Sequence, residues 1–210
     1  MKKILSILLS AIMLVILGAC GNASSNNAAP KQTVAEPAAP TVSNTSISNE
    51  SKSIVIYFSA TGTTKALAEI IAETADADIF EIVPSEPYMS EDLNYNNDNC
   101  RANKEMNDES VRPAIAGSIE NIDEYDTIFI GYPIWWETMP RIINTFLDTY
   151  DLSDKTIMPF CTSGGSGIET SVSAIRKVEP DADVKDGLRG TSSTSDSQLN
   201  EWFSETGYQK

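Results

Sequence analysis

Ser53-Ile54-Val55-Ile56-Tyr57-Phe58-Ser59-Ala60-Thr61-Gly62-Thr63-Thr64 carries the two signals that decide the fold. Its first half is an apolar, β-rich run without polar alternation, the mark of a strand buried on both faces. Its second half is a loop of hydroxyls around one glycine. After it, Ala66, Leu67, Ile70 and Ile71 recur at helical spacing, with Glu69 and Glu73 outside the stripe.

The same alternation continues downstream. Asp78–Val83 reads as a second strand stopped by Pro84, and Thr127–Tyr132 as a third, buried one. Thr138 is then expected to cap a helix with Pro140 inside its first turn, and Ile142, Ile143, Phe146 and Leu147 form its inner face. Thr156–Cys161 is a fourth strand, followed by a helix carrying Ile168, Val172 and Ile175. Ala182–Val184 is a short fifth strand, and Leu199, Trp202 and Phe203 mark a terminal helix with Trp202 in the core. Strands alternating with helices, joined by right-handed crossovers, predict an α/β domain with a doubly wound parallel sheet. Pro84–Gly117 interrupts the pattern. It is long and polar, carries Tyr88, Tyr95, Cys100 and Met106, and reads as a functional loop or a segment with short helices.

The domain is expected to span residues 51–210, enough for one core. Upstream, Lys2 and Lys3 precede the apolar run Ile4–Leu17, broken only by Ser6 and Ser10, and small residues follow. This reads as an export signal, residues 1–19, too short for the roughly 20 residues of a membrane-spanning helix. It ends Leu17-Gly18-Ala19-Cys20, which resembles the lipobox of bacterial lipoproteins. That resemblance implies cleavage before Cys20, a diacylglycerol on its sulfur, and attachment to the outer face of the cytoplasmic membrane through the lipid anchor alone. The alternative is an ordinary signal peptide with a chance cysteine. Gly21–Glu50 has no aromatic residue and is dominated by Ala, Asn, Ser, Thr and Pro, so residues 20–50 read as the lipidated cysteine and a flexible linker.

Composition excludes several chemistries. The 210 residues contain no His, which removes Ser-His-Asp and Cys-His triads and His-based metal sites. A formal charge of −15 argues against nucleic acid, since phosphate neutralisation needs clustered Lys and Arg. The acidic surplus reads as a solvated surface or, alternatively, as recognition of a basic partner. No metal site and no catalytic side chain is indicated.

Polar chemistry converges elsewhere. The loop Ser59, Thr61, Gly62, Thr63 and Thr64 aims hydroxyls and backbone N–H groups at one point beside a helix N-terminus, which favours an anion. It has no Lys and neither the G-x-x-x-x-G-K-[ST] nor the G-x-G-x-x-G spacing, which argues against a nucleoside triphosphate and a dinucleotide. What remains is a terminal phosphate held by neutral donors, or a Ser/Thr-rich cap that merely starts the helix. The third strand runs into Pro133, Ile134, Trp135 and Trp136, and the fourth into Thr162, Ser163, Gly164 and Gly165. In an open parallel sheet, ligands bind outside the carboxyl ends of the strands, where all three loops fall. A phosphate pocket, an aromatic wall and a permissive backbone together describe a mononucleotide with a large planar head. Pro133 stiffens its loop, so Trp135 is expected to line the planar head and Trp136 to pack behind it.

With these residues in place, Ser59-Ala60-Thr61-Gly62-Thr63-Thr64 resembles the FMN phosphate loop of flavodoxins, [ST]-x-[ST]-G-x-[ST], with Thr63 where Asn is common. Gly131–Trp136 and Thr162–Gly165 resemble the two isoalloxazine loops of the short-chain flavodoxin-like family. The resemblance spans about Ser53 to Gly190. It implies a five-stranded sheet in the order 2-1-3-4-5, non-covalent FMN, and electron carriage or transfer with a redox partner protein or a small-molecule donor or acceptor. The rival is a binding lipoprotein that uses the same crevice for a different phosphorylated or aromatic ligand. Cys161 reads as a buried inert thiol, and a Cys100–Cys161 disulfide is compatible with an exported protein.

Overall fold

The computed structural model describes residues 51–210; the export signal, Cys20 and the linker expected over residues 1–50 lie outside the described residues. The elements in chain order are β1 (Ser53–Tyr57), α1 (Thr63–Ala75), β2 (Asp78–Glu81), β3 (Val83–Pro84), α2 (Arg101–Asn107), β4 (Ile115–Ala116), β5 (Thr127–Pro133), α3 (Arg141–Thr149), β6 (Thr156–Thr162), α4 (Glu169–Val178), β7 (Asp183–Val184), β8 (Leu188–Gly190) and α5 (Asp196–Thr206). The main sheet is parallel, in the order β2-β1-β5-β6-β7, with β8 also pairing with β6. Counted by principal strands, this is the expected 2-1-3-4-5 order, with the fifth position shared by two short strands at the two ends of β6.

The apolar runs are buried on both faces, as their lack of alternation requires. Along β1, Ile54 and Ile56 join one core cluster while Val55 and Tyr57 join the other. The first cluster is closed by Ile142, Ile143 and Phe146 of α3 and Val172 and Ile175 of α4. The second is closed by Leu67, Ala68 and Ile71 of α1 and by Leu199, Trp202 and Phe203 of α5. Gly131 in β5 admits the neighbouring strand's Phe160, whose ring would lie 2.1 Å from any Cβ at that position.

Two local readings are corrected. The second strand ends at Glu81, and Val83–Pro84 instead pairs antiparallel with Ile115–Ala116, so Pro84 takes part in a separate two-residue ladder. That ladder closes the Pro84–Gly117 excursion, which holds a 3-10 turn at Ser90–Leu93 and the seven-residue α2. The other correction concerns α3, which begins at Arg141 with Pro140 as an extended N-cap residue. Thr138 caps nothing, because its backbone N–H and C=O are both exchanged with Trp135 at 3.0 and 2.9 Å. Cys100 and Cys161 are buried free thiols.

Candidate functional site

The carboxyl ends of β1, β5, β6 and β8 open into one cleft of about 420 Å3, lined by Ala60, Thr61, Thr63, Thr64, Tyr95, Pro133, Ile134, Trp135, Thr162, Ser163, Gly164, Gly190 and Thr191. The volume lies within the range of small-molecule sites. Nine of the residues singled out from sequence therefore meet here. Ser59, Gly62, Trp136 and Gly165 flank the cleft without lining it.

The β1–α1 loop turns its polar groups toward the cleft. Gly62 is the N-cap of α1 in the left-handed region, φ 87°, and no side chain caps the helix. The hydroxyls are thus not consumed in starting α1, which removes the simpler reading of this loop. Ser59 Oγ instead accepts the Gly62 N–H at 3.1 Å and holds the loop's own shape. Thr61 and Thr63 are exposed, with their hydroxyl oxygens 3.4 Å apart. Among the described residues, nothing takes the backbone N–H of Thr61, Thr63 or Thr64, which leaves these donors open to solvent or a ligand. No acidic residue sits in the first turn of α1 to repel an anion.

Thr64 plays a different part from its neighbours. Its side chain is 1% exposed, and its hydroxyl lies 2.8 Å from that of Thr162 at the end of β6. The pair joins the first loop to the third across the floor of the cleft. Ile134 donates to the Thr162 carbonyl at 2.9 Å and ties the second loop to the same point. The three loops are thereby one hydrogen-bonded unit. In the third, Gly165 donates to Ser163 Oγ at 3.2 Å, and Arg189 Nη1 donates to the Gly165 carbonyl at 3.2 Å.

Trp135 lines the cleft as expected, but Trp136 does not pack behind it. Trp135 is 3% exposed and Trp136 42%. Trp135 and Thr138 pair across a tight two-residue turn, whose central residues Trp136 and Glu137 have φ of 45° and 63°. A turn of this kind throws its central side chains outward and leaves its first residue facing the domain. Trp135 therefore sits at the base of the cleft, edge-on to Phe58 at 5.8 Å and to Tyr88 at 5.3 Å. Trp136 stands at the rim, edge-on to Tyr95 at 5.2 Å.

Tyr95, Gly190 and Thr191 were not singled out from sequence. Gly190-Thr191-Ser192-Ser193-Thr194 repeats the strand-end signature of glycine and hydroxyls, but β8 has only three residues to announce it. Tyr95 was one aromatic in a polar run, with nothing to place it near the sheet edge. Below the cleft, burial pushes the Cys161 thiol up to about 12, consistent with an inert side chain.

A solved structure of a candidate flavoprotein from Bacteroides eggerthii DSM 20697 is 44% identical to this chain, covering 76% of it and 99% of the relative, with a TM-score of 0.73. A second candidate flavoprotein, from Bacteroides uniformis ATCC 8492, is 38% identical over 73% of this chain and 98% of its own, with a TM-score of 0.69. A flavoprotein from Lactobacillus acidophilus NCFM, solved in complex with FMN, is 26% identical over 72% and 98%, with a TM-score of 0.59. No curated protein matches the chain. The flavodoxin family model matches residues 52–206, nearly the whole of the described domain, and the chain belongs to the flavodoxin family.

Proposed function

We propose that the cleft binds FMN and that the protein carries or transfers electrons. The observation that carries this reading is the joining of three loops into one cleft whose first loop offers unpartnered N–H groups and two exposed hydroxyls at a helix start. The FMN held by the Lactobacillus acidophilus relative supports the choice of ligand. Thr61, Thr63 and the N–H groups of the first turn of α1 would hold the phosphate. Trp135, Tyr95 and the Pro133–Ile134 and Ser163–Gly164 segments would hold the planar ring. When bound, FMN supplies one- and two-electron redox chemistry. The chain's own residues bind and orient it, and the apolar base of the cleft keeps water from one side. No side chain is needed as acid or base.

We further propose that the domain works at the outer face of the cytoplasmic membrane, anchored through a lipid on Cys20 behind the 21–50 linker. Its partner is then a redox protein or a small-molecule electron donor or acceptor available outside the cell. The test of the ligand is a binding titration of FMN against riboflavin, which keeps the ring and lacks the phosphate. FMN is expected to bind tighter by at least about tenfold, since several charge-assisted hydrogen bonds are at stake. Equal affinity for the two would overturn the phosphate assignment, and a protein that ignores both would favour the rival binding role.

A further inference from the structure

The α2 helix lies outside the cleft, yet each of its buried polar side chains reaches an aromatic residue of the cleft or of its base. Asn103 donates from Nδ2 to the carbonyls of Asn97 at 2.7 Å and Tyr95 at 3.3 Å, which fixes the turn carrying Tyr95. Glu105 is 7% exposed and accepts the Tyr88 phenol and, at 2.6 Å, Arg101 Nε. The Arg101 guanidinium also lies 4.0 Å from the centre of the Tyr88 ring, and its Nη1 donates to the Glu86 carbonyl at 2.7 Å. Tyr88 is thus held at its hydroxyl and on one face, and its ring meets Trp135 at 5.3 Å and Phe58 at 5.6 Å.

A buried ion pair adds little stability over apolar residues of the same volume, so geometry is what this one contributes. An aromatic ring with only apolar neighbours can shift against them by small rotations. A ring pinned by its hydroxyl to a fixed carboxylate cannot. The order of contacts is then Arg101 to Glu105, Glu105 to Tyr88, and Tyr88 to the indole at the base of the cleft.

We infer that Glu105 is a positioning residue of the cleft, setting the Trp135 indole through Tyr88 before any ligand arrives. The inference rests on the FMN reading proposed above. Support of this kind acts through residues that touch the ligand, without touching it.

The experiment compares Glu105→Ala, Glu105→Gln and Tyr88→Phe with the wild type in the full chain. Acrylamide quenching of the apoprotein reads the exposure of Trp135, with Trp135→Phe as the reference that removes its share of the signal. FMN titration and the residual fluorescence of bound FMN read the cleft. Glu105→Ala is expected to raise the quenching of Trp135, weaken FMN about fivefold and raise the bound-flavin fluorescence. Glu105→Gln still accepts from Tyr88 and is expected to return all three readouts to within about twofold of the wild type. A merely structural role would lower the unfolding temperature and leave the Trp135 quenching and the flavin signal unchanged. That result in folded Glu105→Ala overturns the inference. If that variant does not fold, Tyr88→Phe keeps the ring and is expected to shift the readouts in the same direction by about threefold, and no shift overturns the inference. Failure of the functional reading shows separately, as wild-type protein that takes up no FMN. The quenching of Trp135 still decides the positioning role in that case.

Discussion

Replacing the two adjacent indoles should have unequal consequences for stability, because one is buried and the other stands at the rim. Trp135 is 3% exposed and makes edge contacts with Phe58 and Tyr88. Truncating a buried Trp to Ala removes its transfer energy and leaves a cavity, a loss of about 3–5 kcal/mol. For a domain of this size, about 1 kcal/mol corresponds to roughly 2–4 °C, so Trp135→Ala should lower the unfolding temperature by about 10 °C. Trp136 is 42% exposed and sits at φ 45°, where an L side chain carries strain of about 1–2 kcal/mol. Trp136→Gly relieves that strain and gives up the edge contact with Tyr95, about 0.5–1.5 kcal/mol. The lost apolar area of its covered half and the freer unfolded glycine leave a net cost of about 1–2 kcal/mol, and its unfolding temperature should fall by about 5 °C, half the loss at Trp135. Differential scanning calorimetry of the apoproteins is the assay, because bound ligand would add its own stabilisation. A Trp136→Gly loss as large as that of Trp135→Ala would refute the assignment of inner and outer indole.

Four further outcomes are expected. Thr64→Val and Thr162→Val should each destabilise by about 1–3 kcal/mol by stranding the partner hydroxyl, and the double variant should recover part of the loss; strictly additive losses would mean the 2.8 Å contact is not a bond. Gly131→Ala should destabilise by at least about 1–3 kcal/mol in urea unfolding, since the new Cβ would fall 2.1 Å from the Phe160 ring; a neutral result would show that the ring yields. The folded Cys161 thiol, raised by burial to about 12, keeps its proton where the unfolded thiol, near 8.5, loses it. Stability from this group is therefore full below about pH 8.5 and falls between there and pH 12, by up to about 1.4 kcal/mol per pH unit, and Cys161→Ala should flatten that slope. Cys20→Ala should release the protein from the membrane fraction or leave its signal uncleaved, with FMN affinity unchanged; wild-type protein that partitions wholly into the aqueous phase of a detergent extraction would remove the lipid anchor.

The central strands were legible because burial on both faces leaves a continuous apolar run, and Ser53–Phe58, Thr127–Tyr132 and Thr156–Cys161 each carry one. The phosphate-side loop was legible for a related reason, since its hydroxyls and glycine follow directly on a strand that could be placed. The ring side was harder. The turn at Trp136-Glu137 holds both residues in the left-handed region without the Gly or Asn that normally signals it, so the outward direction of Trp136 was hidden. The α2 helix was invisible because its buried face mixes Ala102 and Met106 with Asn103 and Glu105, and polar residues that are buried to bond break the apolar stripe. The strands β7 and β8 have two and three residues, too few to show a period.

The ladder of Val83–Pro84 with Ile115–Ala116 makes the chain leave the sheet and return to it at one place. Everything between those two pairs is, to the rest of the domain, an insert with its ends already joined. Closing a longer or shorter insert there changes the entropy of the loop only logarithmically. The anchoring half of the cleft belongs to β1 and α1, whereas Tyr95 and the Tyr88 support belong to the insert. On the FMN reading proposed above, a chain that exchanges the insert changes one wall of the ring site and leaves the phosphate loop of β1 and α1 untouched.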